Sequence, residues 1–518
     1  MKIANLAAVV CWISVILTFS ARSESNIERL ISGPASGATS QVTTSPETLK
    51  LLNDLMLNDT ETLSHAEREP GSRPLTMPEP IHTPAWMFDD SRSISDDCEL
   101  TTQGNITHFA QALQIAICQN PDMRRLAFSL RQYLYEYRKS QSAWMPNINL
   151  VLTASSESDR YDMDKADALK QTDRTIDEGV ELSWLLFDFG KREALISQKE
   201  NTWQSQKYQT LSGLQDFILQ FAETYYQVLA RRTILDAAKD NEQIARKTWD
   251  ITQNKYRAGV GVLGDALQAE NVLLSATQYR IQREGDFQQA MGQLANVLNL
   301  SVTRSLEPED RLGIPAEGQM MSLQPLLDEA IKHHPLILAA QKNKEAAIDQ
   351  LKQAERDFLP SISLQGGINR NTSSLDQNRY EPIGRTDSMF VGLNVSVPIF
   401  AGFKRYNQLN EAHAQYNLSA EEYRSQIKLV ELNTWNAWQA LNTSNRSVKL
   451  ISQRLATANR AYAIARGRYL TGVGTIIELL NTQQQLSSTE IDEANVKMEW
   501  NLQRLTLLAS VGRLSLMQ

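Results

Sequence analysis

Four stretches of the chain alternate apolar and polar residues with a period of two. In residues 147–155 one face carries Ile148, Leu150, Leu152 and Ala154, and the other Asn147, Asn149, Thr153 and Ser155, with Val151 the exception. In residues 175–187 one face carries Ile176, Val180, Leu182, Trp184 and Leu186, with Glu178 the exception, against Thr175, Asp177, Gly179, Glu181 and Ser183. The same alternation returns in Ile362, Leu364 and Ile368, and again in Met389, Val391, Leu393, Val395, Val397 and Ile399. It predicts β-strands with one apolar face, at about 147–155, 175–187, 361–370 and 388–400. The polar stretches 157–174 and 370–387 read as loops, so each strand pair is a hairpin.

After each hairpin the period changes. Leu211, Leu214, Ile218, Phe221, Tyr225 and Val228 step by three and four, as do Ile427, Val430, Thr434, Ala437 and Leu441. That is a coiled-coil seam. It predicts long helices over about 190–257 and 403–469, each about 65 residues, or roughly 100 Å of helix. A second helix returns after each, over 265–299 and 475–510. Shorter helices precede the first hairpin, interrupted at Pro121 and ended by Pro146.

The chain states this plan twice. Trp144-Met145-Pro146 returns as Phe358-Leu359-Pro360, FDFGKR (187–192) as FAGFKR (400–405), and Tyr256-Arg257-Ala258-Gly259-Val260-Gly261 as Tyr469-Leu470-Thr471-Gly472-Val473-Gly474. One offset of about 213 residues relates them all, far beyond a solenoid period of ~20–50 residues. Two halves result, 105–300 and 321–518, joined by a linker at 301–320.

Lys2 followed by the apolar run 3–19 and by Ala21 and Ser23 reads as a cleaved export signal, residues 1–23. An N-terminal anchor is the alternative. Residues 24–104, rich in Ser, Thr, Pro and acids, read as a disordered arm in which Trp86-Met87-Phe88 offers a docking anchor. No other run is apolar enough for a transmembrane helix, so a membrane would be crossed by strands. Cys98 and Cys118 are a reasonable disulfide in an exported chain, the alternative being two unpaired thiols. A net charge of −8 and no basic stripe argue against nucleic acid.

Catalytic chemistry finds no support. Gly259-Val260-Gly261-Val262-Leu263-Gly264 fits a dinucleotide fingerprint, but a long polar helix precedes it where a buried strand is required, and the second copy lacks the third glycine. Zinc and nucleophile-elbow motifs are absent, and residues 157–174 lack calcium-loop spacing. No cofactor and no metal are expected.

Four strands cannot close a barrel, and an open edge is not tolerated in lipid. Two copies would give eight strands and three would give twelve. Trp184, Phe187, Phe189, Phe400 and Phe403 stand at the strand exits like an interfacial aromatic girdle, with Lys191, Arg192, Lys404 and Arg405 beyond them. A soluble hydrophobic elbow is the alternative.

The duplication, the helix–strand junctions at Pro146 and Pro360, the FDFGKR and FAGFKR exits and the Tyr-x-x-Gly-Val-Gly tips together resemble the TolC family of outer-membrane export channels, over residue 107 to the C-terminus. The resemblance implies a mainly α protein with membrane β-strands. It implies a homotrimer with a twelve-stranded barrel continued by a twelve-helix periplasmic tunnel. The implied location is the outer membrane of a Gram-negative bacterium. The implied partners are outer-membrane lipid, a periplasmic adaptor and an inner-membrane ABC or proton-driven transporter. It also implies a constricted tip at Tyr256, Asp265, Tyr469, Glu478 and Asn481, beside the turn glycines Gly259, Gly261, Gly472 and Gly474. Gly474 stands where some members have Arg, and Asn481 where they have a second acid. Glu478 in several copies would form a negative ring facing the pore; Asp265 and Glu478 also suit a helix N-terminus for its dipole alone. The Cys98/Cys118 pair resembles members serving type I protein secretion. Drug efflux is the alternative cargo class, and a periplasmic adaptor or scaffold the alternative of another kind.

Overall fold

The computed structural model describes residues 85–88, 108–163, 166–303, 308, 310–313, 322–377 and 383–514. The expected signal and most of the expected arm, with Cys98, lie outside these residues. The described residues all belong to one unit, Ser72–Gln518.

The first half runs α1 (Phe109–Gln119), α2 (Pro121–Gln141), β1 (Asn147–Met163), β2 (Ala166–Phe187), α3 (Lys191–Arg257) and α4 (Leu263–Val297). The second repeats it as α5 (Leu323–His333), α6 (Pro335–Arg356), β3 (Ser361–Gln377), β4 (Ile383–Ser396), α7 (Lys404–Leu470) and α8 (Ile476–Val511). Both long helices have 67 residues.

Local chemistry sets the helix starts. Pro121 and Pro335 occupy the first helical position of α2 and α6, where no N–H is needed. The residue before each caps the helix. Asn120 accepts from the Asp122 N–H at 2.8 Å, and His334 Nδ1 accepts from the Leu336 N–H at 3.2 Å.

The coiled-coil residues of α3 face inward: Leu214, Ile218, Phe221, Tyr225 and Val228 are at most 1% exposed. They form the core with α1, where Phe109 packs against the rings of Phe221, Tyr225 and Tyr226. Asp310 pins the linker there, accepting from the Tyr225 hydroxyl and from the Phe109 N–H. Trp86 and Met87 are fully buried in the same core, and Arg131 donates to the Trp86 carbonyl. Cys118 is disulfide-bonded.

Next to the sheet the packing order of the helices is α2–α3–α6–α7; at the far end it is α4–α3–α8–α7. The sheet is antiparallel in the order β1-β2-β3-β4. One side of the unit therefore ends in β1, α2 and α4, the other in β4 and α7.

The strand ends differ from expectation. Residues 157–163 and 166–174 are paired strand rather than loop, as are 371–377 and 383–387. The ladder continues there through mostly polar residues without a regular apolar face, which removes the alternation that marks a strand. In contrast β4 stops at Ser396, not at Phe400. Ser396 pairs with Ser361, the first residue after Pro360, so β3 offers no partner to residues 397–400, and Pro398 has no N–H to donate.

Candidate functional site: membrane face, elbows and tip

The register of the sheet stacks its apolar residues into rows. Leu150, Val180, Ile368 and Met389 are direct neighbours across all four strands. Ile148, Leu182, Gly366 and Val391 form the next row, and Trp184, Leu364 and Leu393 the one after. Met389 is 79% exposed and Val391 74%, so this face has no partner among the described residues. From Met389 to Val395 the band measures about 20 Å along β4, and Val397 just beyond the strand extends it toward the ~25 Å lipid-facing band of outer-membrane barrels. A charged row ends it. Glu178, Arg370 and Asp387 are cross-strand neighbours, with Arg370 Nε donating to Asp387 Oδ1 at 2.7 Å. The opposite face carries Asn149, Asp177, Glu181, Gln365, Asn369, Asn371 and Ser388; Asn371 donates to Asp177 at 2.6 Å.

At the other edge of the band the chain turns into α3 and α7 through two elbows. Phe187 and Phe189 pack edge-on at 4.7 Å, and Phe400 and Phe403 at 5.7 Å. Phe187, Phe400 and Phe403 are exposed, Trp184 is on the exposed margin, and Phe189 is half-buried. Trp184 Nε1 donates to the Trp144 carbonyl at 2.9 Å, tying β2 to the turn before Pro146. Pro360 stands in the matching place before β3.

The first elbow is locked by a residue whose place in the sequence suggests only a boundary charge. Arg192 is 5% exposed and donates to the carbonyls of Ala143 (2.9 Å) and Leu185 (2.7 Å), its guanidinium lying 3.6 Å over the Trp144 ring. Asp188 caps α3 by accepting from the Arg192 N–H at 2.7 Å. Arg356 of α6 reaches across to the Gly190 carbonyl at 2.6 Å, and Lys191 pairs with Asp357.

At the far end the two tips are near copies. In the first, the Gly259 N–H donates to Tyr256 O and the Val260 N–H to Lys255 O; in the second, Gly472 donates to Tyr469 O and Val473 to Arg468 O. Gly259 and Gly472 take φ of 74° and 83°, the left-handed position such a helix stop requires. A Cβ at Gly261 or Gly474 would meet the preceding helix at 2.9 Å.

Of the five expected tip residues, Tyr469 is buried against Ile476 and Leu479, and Asp265 lies within electrostatic reach of it. Burial pushes the Tyr469 phenol up from its ordinary value, and the Asp265 carboxylate nearby adds to it. Lys255 carries no motif that singles it out in the sequence. Its ammonium donates to the Tyr469 carbonyl at 2.7 Å and sits 4.3 Å over the Tyr469 ring, binding the end of α3 to the end of α7. Glu478 lies in the first turn of α8, where Thr475 caps the helix by accepting its N–H, and it faces Arg468 at 3.7 Å. Tyr256 and Asn481 are exposed.

Among the described residues no helix is long and apolar enough to cross a membrane, and no cluster of three or more His, Cys, Asp or Glu could hold a metal. An exposed apolar band on a sheet that joins 67-residue helices has counterparts among known proteins. The sequence profile of outer membrane efflux proteins matches residues 112–300 and 326–513, one match for each repeat. The chain belongs to the outer membrane efflux protein family. Protein CyaE of Bordetella pertussis is 27% identical over 407 residues, 78% of this chain and 84% of that one. Outer membrane protein TolC of Vibrio cholerae is 22% identical over 73% of this chain and 84% of its own length. The solved outer-membrane channel OprN superposes with a TM-score of 0.66 at 17% identity, over 87% of this chain and 98% of that one. As a member of this family, the chain is an outer-membrane channel for efflux or secretion.

Proposed function

We propose that three copies of this chain close into one exit duct, which passes protein cargo handed over by an inner-membrane ABC transporter and a periplasmic adaptor. The observation that carries this reading is the unpaired sheet. It has one lipid-compatible face and one mostly polar face, the outer edges of β1 and β4 are unpaired among the described residues, and four strands cannot enclose a pore. Twelve strands from three copies satisfy every edge. The duct supplies no energy; a pump drives transport, and Trp184, Phe187, Phe189, Phe400 and Phe403 anchor the barrel at the lipid boundary.

The tip is the gate. Lys255 on Tyr469 and the Arg468–Glu478 pair hold the helix ends together, and Glu478 with Asp265 makes the constriction attractive to cations. Conductance of the purified protein in a planar bilayer tests this. Small steps of one size, enlarged by Asp265→Ala or Glu478→Ala, are expected. Steps indifferent to both changes would move the gate elsewhere.

Protein cargo is favoured by the disulfide-bonded Cys118, one of the pair that resembles secretion members, and by the anchored Trp86-Met87 segment before it. Deleting the gene should remove a large protein from the medium. Unchanged secreted protein with heightened drug sensitivity would transfer the cargo to small molecules.

A further inference from the structure

Near the tip a cavity of about 240 Å³ opens between α3, α7 and α8. Helix α3 gives it one stripe, Ile244, Lys247, Thr248 and Ile251, spaced three and four residues apart on one face. Helix α7 gives the other stripe, Tyr462, Arg466, Tyr469 and Leu470. Leu479 of α8, which packs on both helices, completes the lining. The floor is firm: Leu479 is 2% exposed, Thr248 4% and Tyr469 5%. Ile251, Tyr462, Tyr469 and Leu479 belong to one apolar cluster, and Lys255, one turn beyond Ile251, holds the Tyr469 ring in place.

The lining carries two cations and no acid. Among the described residues neither Lys247 nor Arg466 has a carboxylate partner or a hydrogen bond, and the hydroxyls of Tyr462 and Tyr469 have no hydrogen bond either. Nearby charges are engaged with one another instead: Arg246 pairs with Glu242, and Glu478 with Arg468. A cleft that holds one sign of charge over apolar walls concentrates ions of the opposite sign.

We propose that this cavity binds a small aromatic anion, one ring bearing a carboxylate or sulfonate, with its charge on Lys247 and Arg466 and its ring against Tyr462 and Tyr469. Such an occupant ties α3 of the first repeat to α7 of the second, as Lys255 does nearer the tip, and so holds the tip shut. That last step rests on the gate reading above; the binding itself does not. The walls choose the class of ligand. An inorganic anion would satisfy the cations and leave Ile244, Ile251, Leu470 and Leu479 against water. A neutral ring would ignore both charges. The tyrosine rings offer stacked or edge-on contact to another ring. The volume lies just below the ~300–1,000 Å³ of sites for drug-sized ligands, which suits one ring rather than a long acyl chain. An Asp or Glu side chain of a partner protein would meet the cations and leave the apolar floor empty.

Benzoate is the probe, titrated onto the full-length protein at fixed ionic strength and followed by saturation-transfer NMR. Saturable binding with a Kd of about 1 mM or below is expected. Lys247→Gln combined with Arg466→Gln should weaken it more than about tenfold, the effect of losing charge-assisted contacts. Benzyl alcohol, the uncharged analogue, should bind at least about tenfold more weakly for the same reason. Equal binding of the alcohol, or unchanged benzoate binding in the double variant, overturns the site. So does the lack of saturable benzoate binding; if a tetraglutamate peptide binds in its place, the two cations belong to a protein partner. Both cations are exposed, and equal outer-membrane amounts of native and variant protein control for folding. In planar bilayers benzoate should cut open-channel events more than about fivefold in the native protein and leave the double variant unaffected. Binding that leaves these events unchanged overturns the hold on the tip, and if Lys255→Ala is silent as well, the gate reading itself fails.

Discussion

The two elbows descend from one sequence and are not equally held. In the first, Asp188 caps α3, and Arg192 is buried against Trp144 and two carbonyls. In the second, Ala401 replaces the capping acid, Phe403 enters α7 with φ 63° and no side-chain cap, and Arg405 is only half-buried. Duplication kept the backbone path and let the side-chain locks diverge. The elbow thus fastens the start of α3, whereas α7 is held by its packing against α8, α6 and α5 and, at the tip, by Lys255.

The largest expected effect separates the elbows directly. Arg192→Ala leaves two part-buried carbonyls without their charged donor and removes the ring contact, a loss of about 2–3 kcal/mol. Arg405→Ala should cost less than about 0.5 kcal/mol, as surface changes do. Thermal unfolding followed by loss of helical signal measures both. Similar losses would mean that the second elbow is locked through contacts between copies.

The two helix junctions diverge in the same way. Asn120 and His334 make the same cap with nearly the same backbone, φ −65° in both. Only the histidine titrates. Burial holds its imidazole at about 4, below the usual 6.5. Because the folded value is the lower one, protons favour the unfolded chain. The stabilisation is complete above pH about 6.5 and is lost as pH falls toward about 4, for a total of about 3 kcal/mol. Stability of the His334→Asn variant should be flatter across that window. An unchanged slope would place the acid sensitivity on other groups.

The tip locks rank next. Lys255→Ala removes a charge-assisted bond worth about 2 kcal/mol and should raise open-channel events by more than about tenfold. Arg468→Ala breaks a longer pair between half-exposed groups, worth less than about 1 kcal/mol, and should raise them less than about fivefold. The reverse order would assign the hold on α7 to its own hairpin rather than to α3.

Legibility in the sequence tracks these differences. Alternation marked all four strands along the apolar band, and it vanished in residues 157–163 and 166–174, which are mostly polar in sequence while the ladder continues. Seam periodicity exposed the long helices because their heptads persist for tens of residues. The tip turns were legible because glycine at positive φ leaves a compositional mark. Arg192 and Lys255 were not, since both donate to backbone carbonyls, which carry no sequence signature. Lys255 finds its carbonyl 214 residues away. The tandem copy does not flag Arg192 either, because the motif around it is repeated while its burial is not.

The smallest expected effect is a match rather than a difference. Gly259 and Gly472 both hold left-handed φ, and a Cβ at either would meet nothing within 4 Å. Alanine at each should therefore cost only the backbone penalty, about 1–2 kcal/mol and the same in both. Here the copies share backbone geometry with no side-chain divergence to separate them. Measured stabilities of Gly259→Ala and Gly472→Ala that agree within about 0.5 kcal/mol would support divergence confined to side chains. A clearly larger cost at Gly472 would show that the second tip carries strain that the first does not, and would put the moving part of the gate in the backbone of the α7–α8 turn.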